Sequence, residues 1–97
     1  MRSPFLELTV VVDSDGNAVW TALVRRDQIA AIEDVSSRNL VGDVKSRVLL
    51  AEPIDLVDIE NAAAGVLRGQ RELSVKQDVA AINDFLRDDP DGCGCCI

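Results

Sequence analysis

Histidine is absent from the 97-residue sequence, and the common catalytic motifs are absent with it. Without histidine the sequence lacks the commonest general base near neutral pH. It also contains no G-x-S-x-G nucleophile motif, no P-loop and no G-x-G-x-x-G dinucleotide motif. These absences predict a protein that is not an enzyme and that needs no cofactor.

Long apolar runs are also missing, and cationic residues are in the minority. No stretch of about 18 apolar residues occurs, so we expect no membrane span. The first residues contain one arginine, and Glu7 interrupts their apolar stretch, which predicts a strand rather than a secretory signal and favours a cytoplasmic location. The 10 Lys and Arg residues stand against 17 Asp and Glu, a net charge of −7. This acidic balance argues against nucleic-acid binding.

Aromatic residues make up only 3% of the sequence, although 47% of it is hydrophobic. The core must therefore consist of Val, Leu, Ile and Ala side chains, each of which buries less area than an aromatic ring. A domain of this size has marginal stability on its own. Self-association is one way to complete the burial of such a core, so we expect a homo-oligomer.

A β-hairpin is the clearest local prediction. The segment "FLELTVVV" alternates apolar and polar residues, as a half-buried strand does. The Asp-Gly step in "DSDGN" favours a tight turn, and "AVWTALVRR" follows as the second strand. The same turn resembles a calcium loop that begins at Asp13. Its sixth and twelfth positions are Ala18 and Val24, where such a loop needs Gly and Glu, so we interpret it as a turn.

The middle of the sequence predicts further strands. "RDQIAAIEDV" favours a turn followed by a strand over residues 29–35, with a short helix from Asp27 as the alternative. "SSRNLVGDVK" is typical of a loop. "SRVLLA" and "IDLVDIE" predict two more strands, which Pro53 separates.

The last third of the sequence predicts two helices. "NAAAGVLRG" has helix formers after a possible cap at Asn61, and Gly69 is placed to end it. A second helix is expected over residues 74–89, where Ser74 and Gln77 fit a capping box. Its apolar stripe must pack on the protein's own sheet, on a neighbouring subunit or in the groove of a partner protein. The candidate interface residues are Val75, Val79, Ile82, Phe85 and Leu86.

Strands gathered before helices indicate an α+β fold. We expect a small antiparallel sheet or open β-barrel of four to five strands, followed by two C-terminal helices. Residues 1–89 form a single domain in this interpretation, and residues 90–97 form a Cys-rich tail.

Four arginines are the candidate residues for binding an anionic ligand. They are Arg25, Arg26, Arg38 and Arg47. The planar guanidinium group matches the geometry of a phosphate. Arg25 and Arg26 are adjacent and point to opposite faces of a strand, so at most one of them joins a given pocket.

The three cysteines all lie in "CGCC" near the C-terminus. A prenylation box needs cysteine at the position that Gly94 occupies. A structural zinc site needs four ligands, and three thiols without histidine fall short. Cys93, Cys95 and Cys96 are therefore weak candidates for a metal, for contact between subunits or for a disulfide, and a plain tail is favoured.

Several short segments share a pattern with a known family. They are "LELTV", "DQIAAIED", "SRVLLA" and "DLVDIENAAAGVL". In these features residues 6–67 resemble the small flagellar and swarming-motility proteins of the FlbD-like family. The resemblance implies a compact β-rich unit of accessory role, and it implies no catalytic residues.

These observations predict a small, acidic, non-enzymatic accessory or regulatory protein of bacterial or phage type. It is expected to act by protein–protein contact, with self-association and with a possible protein partner. The alternative is a phage-type protein that sequesters a small anionic, nucleotide-like ligand at oligomer interfaces.

Overall fold

A single antiparallel sheet forms most of the protein. The computed structural model describes residues 4–13 and 15–87. Its elements are β1 (Phe5–Val11), β2 (Val19–Arg25), β3 (Ile29–Asp34), β4 (Ser46–Val57), β5 (Val66–Val75) and α1 (Val79–Arg87). The five strands are ordered β2-β1-β5-β4-β3. No helix of the described ranges is long and apolar enough to cross a membrane.

The predicted hairpin is confirmed, and the alternation of apolar and polar residues explains which face of it packs on the core. β1 and β2 pair from Phe5↔Arg25 to Val11↔Val19. Alternate residues of β1 are buried and their neighbours are more exposed, as a strand with one face on the core requires. In the turn, a carboxylate oxygen of Asp13 accepts a hydrogen bond from the backbone N–H of Ala18 at 3.1 Å.

The hairpin turn packs closely against the loop between β3 and β4. A Cβ placed on Gly16 would lie 2.5 Å from the backbone nitrogen of Gly42. Both glycines have positive φ angles, 77° and 85°, a conformation that costs L residues energy. Two residues without side chains therefore allow two turns to meet backbone to backbone.

The strand predicted over residues 29–35 is confirmed as β3. It pairs with β4 alone, which makes it an edge of the sheet. A register irregularity lies between Ile29 and Ala31. Residues 36–45 form the expected loop, which contains one short 3₁₀ turn, Ser36–Arg38.

The two strands predicted on either side of Pro53 form one strand, β4. The pairing of β4 with β5 shifts register between Leu49 and Ile54. Proline cannot donate to a β-ladder and is tolerated at such irregularities. Pro53 therefore lies within an uninterrupted strand, and the break predicted from the sequence does not occur.

The prediction of a helix after Asn61 is wrong. Residues Ala62–Ala64 form one 3₁₀ turn, and β5 begins at Val66. Gly65 has φ 100° and ψ −161°, a region available almost only to glycine, and Gly69 also has positive φ. The backbone at these glycines is incompatible with a continuing helix, and pairing with β4 outweighs the helix propensity of the alanines.

The second predicted helix begins five residues later than expected. Ser74 and Val75 belong to β5, and α1 starts at Val79. Asp78 provides its cap, since a carboxylate oxygen accepts the N–H of Ala81 at 2.8 Å. Gln77 binds Thr9 instead: the Thr9 N–H donates to Gln77 Oε1 at 3.0 Å, and Gln77 Nε2 donates to Thr9 Oγ1 at 3.1 Å.

The predicted α+β class with two C-terminal helices is therefore wrong. Among the described residues the protein is mostly β, with one nine-residue helix after the sheet. The sheet itself is antiparallel and five-stranded, as the strand count from the sequence allowed.

The core is aliphatic, as the composition indicates. Its buried members come from four strands and the helix: Leu6, Leu8, Val10, Ala22, Val24, Val48, Leu50, Leu56, Leu73, Val75 and Ile82. Trp20 packs against this cluster and is only partly buried. Burying one Leu, Ile or Val side chain contributes about 1.5–3 kcal/mol, and the helix contributes the buried Ile82 and the partly buried Leu86 to this core.

The end of the β4–β5 hairpin covers the outer edge of β2. The backbone N–H of Ile59 donates to the carbonyl oxygen of Thr21 at 2.9 Å. The N–H of Thr21 donates to a carboxylate oxygen of Asp58 at 3.2 Å. The sheet therefore curls until residues that follow β4 meet β2, which satisfies backbone groups of that edge strand.

Candidate functional site

Two of the four candidate arginines meet at one carboxylate. An Arg38 Nη atom lies 3.0 Å from one oxygen of Glu33, and Arg47 Nη1 lies 3.3 Å from the other. The Nε atom of Arg47 is 3.4 Å from a carboxylate oxygen of Glu72. All four side chains are partly exposed. The result is an ion-pair network on the outer surface of β3, β4 and β5.

The other two arginines lie at the opposite end of β3. Arg25 binds Asp27 through two nitrogens, at 3.1 and 3.2 Å, and its guanidinium carbon is 5.9 Å from the ring centre of Phe5. The hydrogen bond from Arg25 lowers the pKa of Asp27 below its usual value, and the same bond raises the pKa of Arg25. Arg26 donates to the backbone carbonyl of Phe85. The four guanidinium groups therefore lie at two separate ends of β3 and do not form one anion-binding site.

The residues predicted to form an apolar stripe do not share one surface. Val75 and Ile82 are fully buried, and Leu86 packs against the same core. Val79 is half-buried, and Phe85 is exposed. The helix therefore packs on the protein's own sheet, one of the three alternatives that the sequence left open.

The cysteine tail lies outside the described residues. The predicted tail, residues 90–97, is not among the described residues, and neither are its cysteines Cys93, Cys95 and Cys96. Within residues 4–13 and 15–87, no group of three or more His, Cys, Asp or Glu side chains is arranged to hold a metal ion.

An exposed apolar surface lies at the end of the β4–β5 hairpin, where the sequence predicted a helix. We define this tip surface as Leu23, Val57, Ile59, Ala62–Ala64 and Val66. Its four large side chains are between 43% and 48% exposed, and the three alanines are exposed as well. These four are among the seven large hydrophobic residues that are exposed in the described part of the chain. A contiguous apolar patch on a protein surface marks an interaction site more often than scattered single residues do.

Strand pairing brings the members of the tip surface together. Val57 and Val66 are direct partners in the β4–β5 ladder, where opposite Cβ atoms lie about 4.5–5.5 Å apart. Ile59 is held against β2 by its hydrogen bond to Thr21. Leu23 is two residues further along β2 on the same face as Thr21. The surface thus combines residues from β2, from the end of β4 and from the hairpin turn.

Carboxylates flank the tip surface. Glu7 is the cross-strand partner of Leu23, and Glu60 follows Ile59 in the turn; both are exposed. Asp58 has a structural role here, because the N–H groups of Thr21 and Glu60 both donate to its carboxylate. Arg68, two residues after Val66 in β5, is also exposed, and its guanidinium group is 3.2 Å from a carboxylate oxygen of Asp55. The border of the apolar region therefore carries charges of both signs, and Glu7 and Glu60 are the places where a cationic group of a partner can bind.

The sequence contained one signal for this surface. The turn "IENAAAGV" is rich in small and apolar residues, whereas turns are usually built from Gly, Pro, Asn, Asp and Ser. The helix propensity of the three alanines predicts a helix here. The alanines lie in a turn because the residues that follow them, 66–75, pair with β4. No local sequence pattern predicts that pairing.

Comparisons with known proteins give no match: no family model, no curated protein and no solved structure matches this chain. The resemblance of residues 6–67 to the FlbD-like family therefore stays a prediction. The function has to be argued from the surface of the protein itself.

Proposed function

We propose that this protein is a small, non-enzymatic accessory protein that acts by binding another protein through its tip surface. The observation that carries the proposal is the clustering of Leu23, Val57, Ile59 and Val66 as exposed side chains in one region. Large apolar side chains at the centre of an interface contribute most of its binding energy, and polar groups around them exclude water. Glu7 and Glu60, together with the net charge of −7, support a partner whose apolar patch is flanked by Lys or Arg.

The protein's own charge supports a partner of that kind. A net charge of −7 attracts a basic partner over distance and speeds association. Glu7 and Glu60 then lie where charge complementarity fixes the orientation of the bound partner. We expect the association rate to fall as salt concentration rises, because screening shortens the reach of exposed charges.

Site-specific photo-crosslinking in cells that naturally make the protein tests this proposal. A photoreactive amino acid at position 66 should form an adduct with one protein partner. The same amino acid at position 71, an exposed residue of β5 outside the tip surface, should not form it. No adduct at position 66, or equal adducts at both positions, would contradict the proposal.

A pair of matched substitutions sharpens the experiment. Ile59→Asp should lower the adduct yield about tenfold or more, since central interface residues contribute about 2 kcal/mol or more. Val41→Asp makes the same change at a residue that is 60% exposed in another loop, and it should leave the yield unchanged. Both side chains are exposed, so neither substitution should shift the urea midpoint of unfolding strongly.

Binding of a small anionic, nucleotide-like ligand is the alternative proposal. It draws its support from Arg38 and Arg47, which converge on Glu33. A phosphate at this place would have to replace the Glu33 carboxylate, which weakens the alternative. A thermal-shift screen with nucleotides tests it, because a ligand that binds the native state raises the melting temperature. If no nucleotide raises the melting temperature, nucleotide binding is excluded.

A further inference from the structure

The turn of the β4–β5 hairpin, residues 58–65, lies outside the apolar core. Every residue from Ile59 to Val66 is exposed, and Asp58 is half-buried. The hairpin is anchored just before and just after this turn, because Leu56 is buried in the core and Leu67 packs against it. The 58–65 segment therefore contributes no buried side chain that would hold it in place.

The 58–65 segment is held together by its own hydrogen bonds. The N–H of Asn61 donates to the carbonyl oxygen of Asp58 at 3.1 Å, and the N–H of Ala64 donates to that of Asn61 at 3.0 Å. The N–H of Glu60 donates to the Asp58 carboxylate at 3.0 Å. None of these bonds has to break if the segment moves as a whole, so it can move as one unit.

Among the described residues outside this segment, only Thr21 of β2 forms hydrogen bonds with it. The Thr21 N–H donates to the Asp58 carboxylate at 3.2 Å, and the Thr21 carbonyl oxygen accepts the N–H of Ile59 at 2.9 Å. Thr21 is half-buried on an edge strand, where water can replace both partners. Regions with few buried apolar contacts and with exposed hydrogen bonds open locally at much lower free energy than the whole protein unfolds.

We propose that residues 58–65 open and close over β2 as a unit while the sheet stays folded, and that only the closed form presents the complete tip surface. Leu23 belongs to the fixed sheet, whereas Ile59 and the three alanines belong to the moving segment. Opening separates them and uncovers the N–H and C=O groups of Thr21. This inference rests on the proposed function, because it concerns the assembly of the same surface.

Partner binding is then linked to closure. A partner that binds only the closed form has an apparent dissociation constant equal to its intrinsic value divided by the closed fraction. The bound partner in turn holds the segment closed. A substitution that weakens the contact with Thr21 therefore weakens binding, although it changes no side chain of the tip surface. With only two hydrogen bonds to break, the open form is populated on the order of 1–10%.

Native-state hydrogen exchange in low concentrations of urea tests the opening on the full chain. The amides of Thr21 and Ile59 should be about 10- to 100-fold protected and should share one opening constant that urea hardly changes, since local opening exposes little surface. Ala22 pairs with Leu8 of β1, and its N–H faces β1 because that of Thr21 faces the edge. The Ala22 amide should exchange only by global unfolding, with a strong urea dependence.

Three results of this experiment would overturn the proposal. They are an unprotected Thr21 amide, protection and urea dependence at Thr21 equal to those at Ala22, and different opening constants at Thr21 and Ile59. The first means that the contact does not form in solution. The second means that it opens only when the protein unfolds, and the third means that the segment does not move as one unit.

Two Asp→Ala substitutions separate the contact with β2 from general destabilisation. Asp58→Ala removes the acceptor of the Thr21 N–H, so it should speed exchange at Thr21 and Ile59 about tenfold or more. Asp78→Ala removes the cap of α1. It should speed exchange at Ala22 and leave the opening constant of Thr21 unchanged. The same response of Thr21 to both substitutions would refute local opening.

Photo-crosslinking at position 66 measures the link to binding. Asp58→Ala should lower the adduct yield in proportion to the closed fraction that exchange gives. Asp58→Asn keeps a carbonyl acceptor and should restore most of the yield, and Asp78→Ala should not change it. A yield that Asp58→Ala leaves unchanged would refute control by closure, while binding at the tip surface would stand. If the unsubstituted segment gives no adduct at position 66, the proposed function fails, and the opening is still decided by exchange.

Discussion

Ser46 is a buried polar residue in an otherwise aliphatic core. Its side chain is fully buried, and its hydroxyl has no hydrogen-bond partner. It lies beside Val75 in the β4–β5 ladder. A buried hydroxyl without a partner destabilises the native state, because folding removes it from water and returns no hydrogen bond.

We predict that Ser46→Ala raises the free energy of unfolding by about 1 kcal/mol. The substitution removes the unpaired oxygen and leaves a very small void. Urea unfolding of both proteins measures the difference, and Ser37→Ala, at an exposed serine, is the control expected to change little. Destabilisation by Ser46→Ala would mean that the hydroxyl makes a hydrogen bond in solution.

Gly16 and Gly69 separate two effects of a glycine residue. Both have positive φ, 77° and 67°. A Cβ on Gly16 would overlap Gly42 and Val41, whereas a Cβ on Gly69 would have no atom within 4 Å. We expect Gly69→Ala to destabilise the protein by about 1 kcal/mol through backbone strain alone.

Gly16→Ala should be more destabilising, by about 2–3 kcal/mol in total, because the new methyl group also forces the two turns apart. Urea midpoints of the two variants compared with wild type measure the contrast. Equal destabilisation by both substitutions would contradict close contact between the turns.

At the scale of elements, α1 depends on tertiary contacts. A nine-residue helix is too short to be stable alone in water. It is held by Ile82 in the core, by the Asp78 cap and by the hydrogen bond from Arg26 to the carbonyl of Phe85. The helical spacing of the apolar residues predicts this helix, but the sequence indicates Ser74 as its cap, where the structure has Asp78.

The cap provides a prediction at this scale. Asp78→Ala should lower the free energy of unfolding by about 1 kcal/mol, since the N–H of Ala81 loses its acceptor. Far-UV circular dichroism and urea unfolding measure the change. Ser74→Ala, at the position where the sequence suggested the cap, should have a smaller effect. The reverse order would place the start of the helix at Ser74.

Some strands are predicted by the local sequence pattern, and others form only because they pair with distant strands. β1 and β2 alternate in burial and are joined by a turn with an Asp-Gly step, so the sequence predicts both of them. β5 contains Gly69 at an interior position, and its apolar residues alternate only in part. It exists as a strand because β1 and β4 flank it. Strand preference depends strongly on such context.

At the scale of the whole molecule, the sheet is closed by the Asp58 carboxylate and by the backbone hydrogen bond from Ile59 to Thr21. Asp58 accepts the N–H of Thr21 in β2 and the N–H of Glu60 in its own turn, at 3.2 and 3.0 Å. It thereby connects the end of the β4–β5 hairpin to the opposite edge of the sheet. The tip surface includes Leu23 of β2 and Ile59 of the turn only because this closure holds.

We predict that Asp58→Ala lowers the free energy of unfolding by about 2 kcal/mol, because two backbone N–H groups lose a charged acceptor. Hydrogen exchange at Thr21 should accelerate, and crosslinking of the partner at position 66 should weaken with it. Glu60→Ala, at an exposed neighbour, is the control for stability. Unchanged exchange at Thr21 would show that the edge is closed by other contacts.

Features that are local or compositional follow from the amino-acid sequence alone. Alternation and the Asp-Gly step specify the hairpin, the scarcity of aromatics specifies an aliphatic core, and the spacing of Ile82 and Leu86 specifies a helical face. Three outcomes became visible only in the folded protein: β4 continues through Pro53, residues 66–75 form a strand, and Leu23, Ile59 and Val66 lie at the same end of the sheet. These outcomes depend on pairing between segments far apart in the chain, and no short window of sequence contains the energy of that pairing.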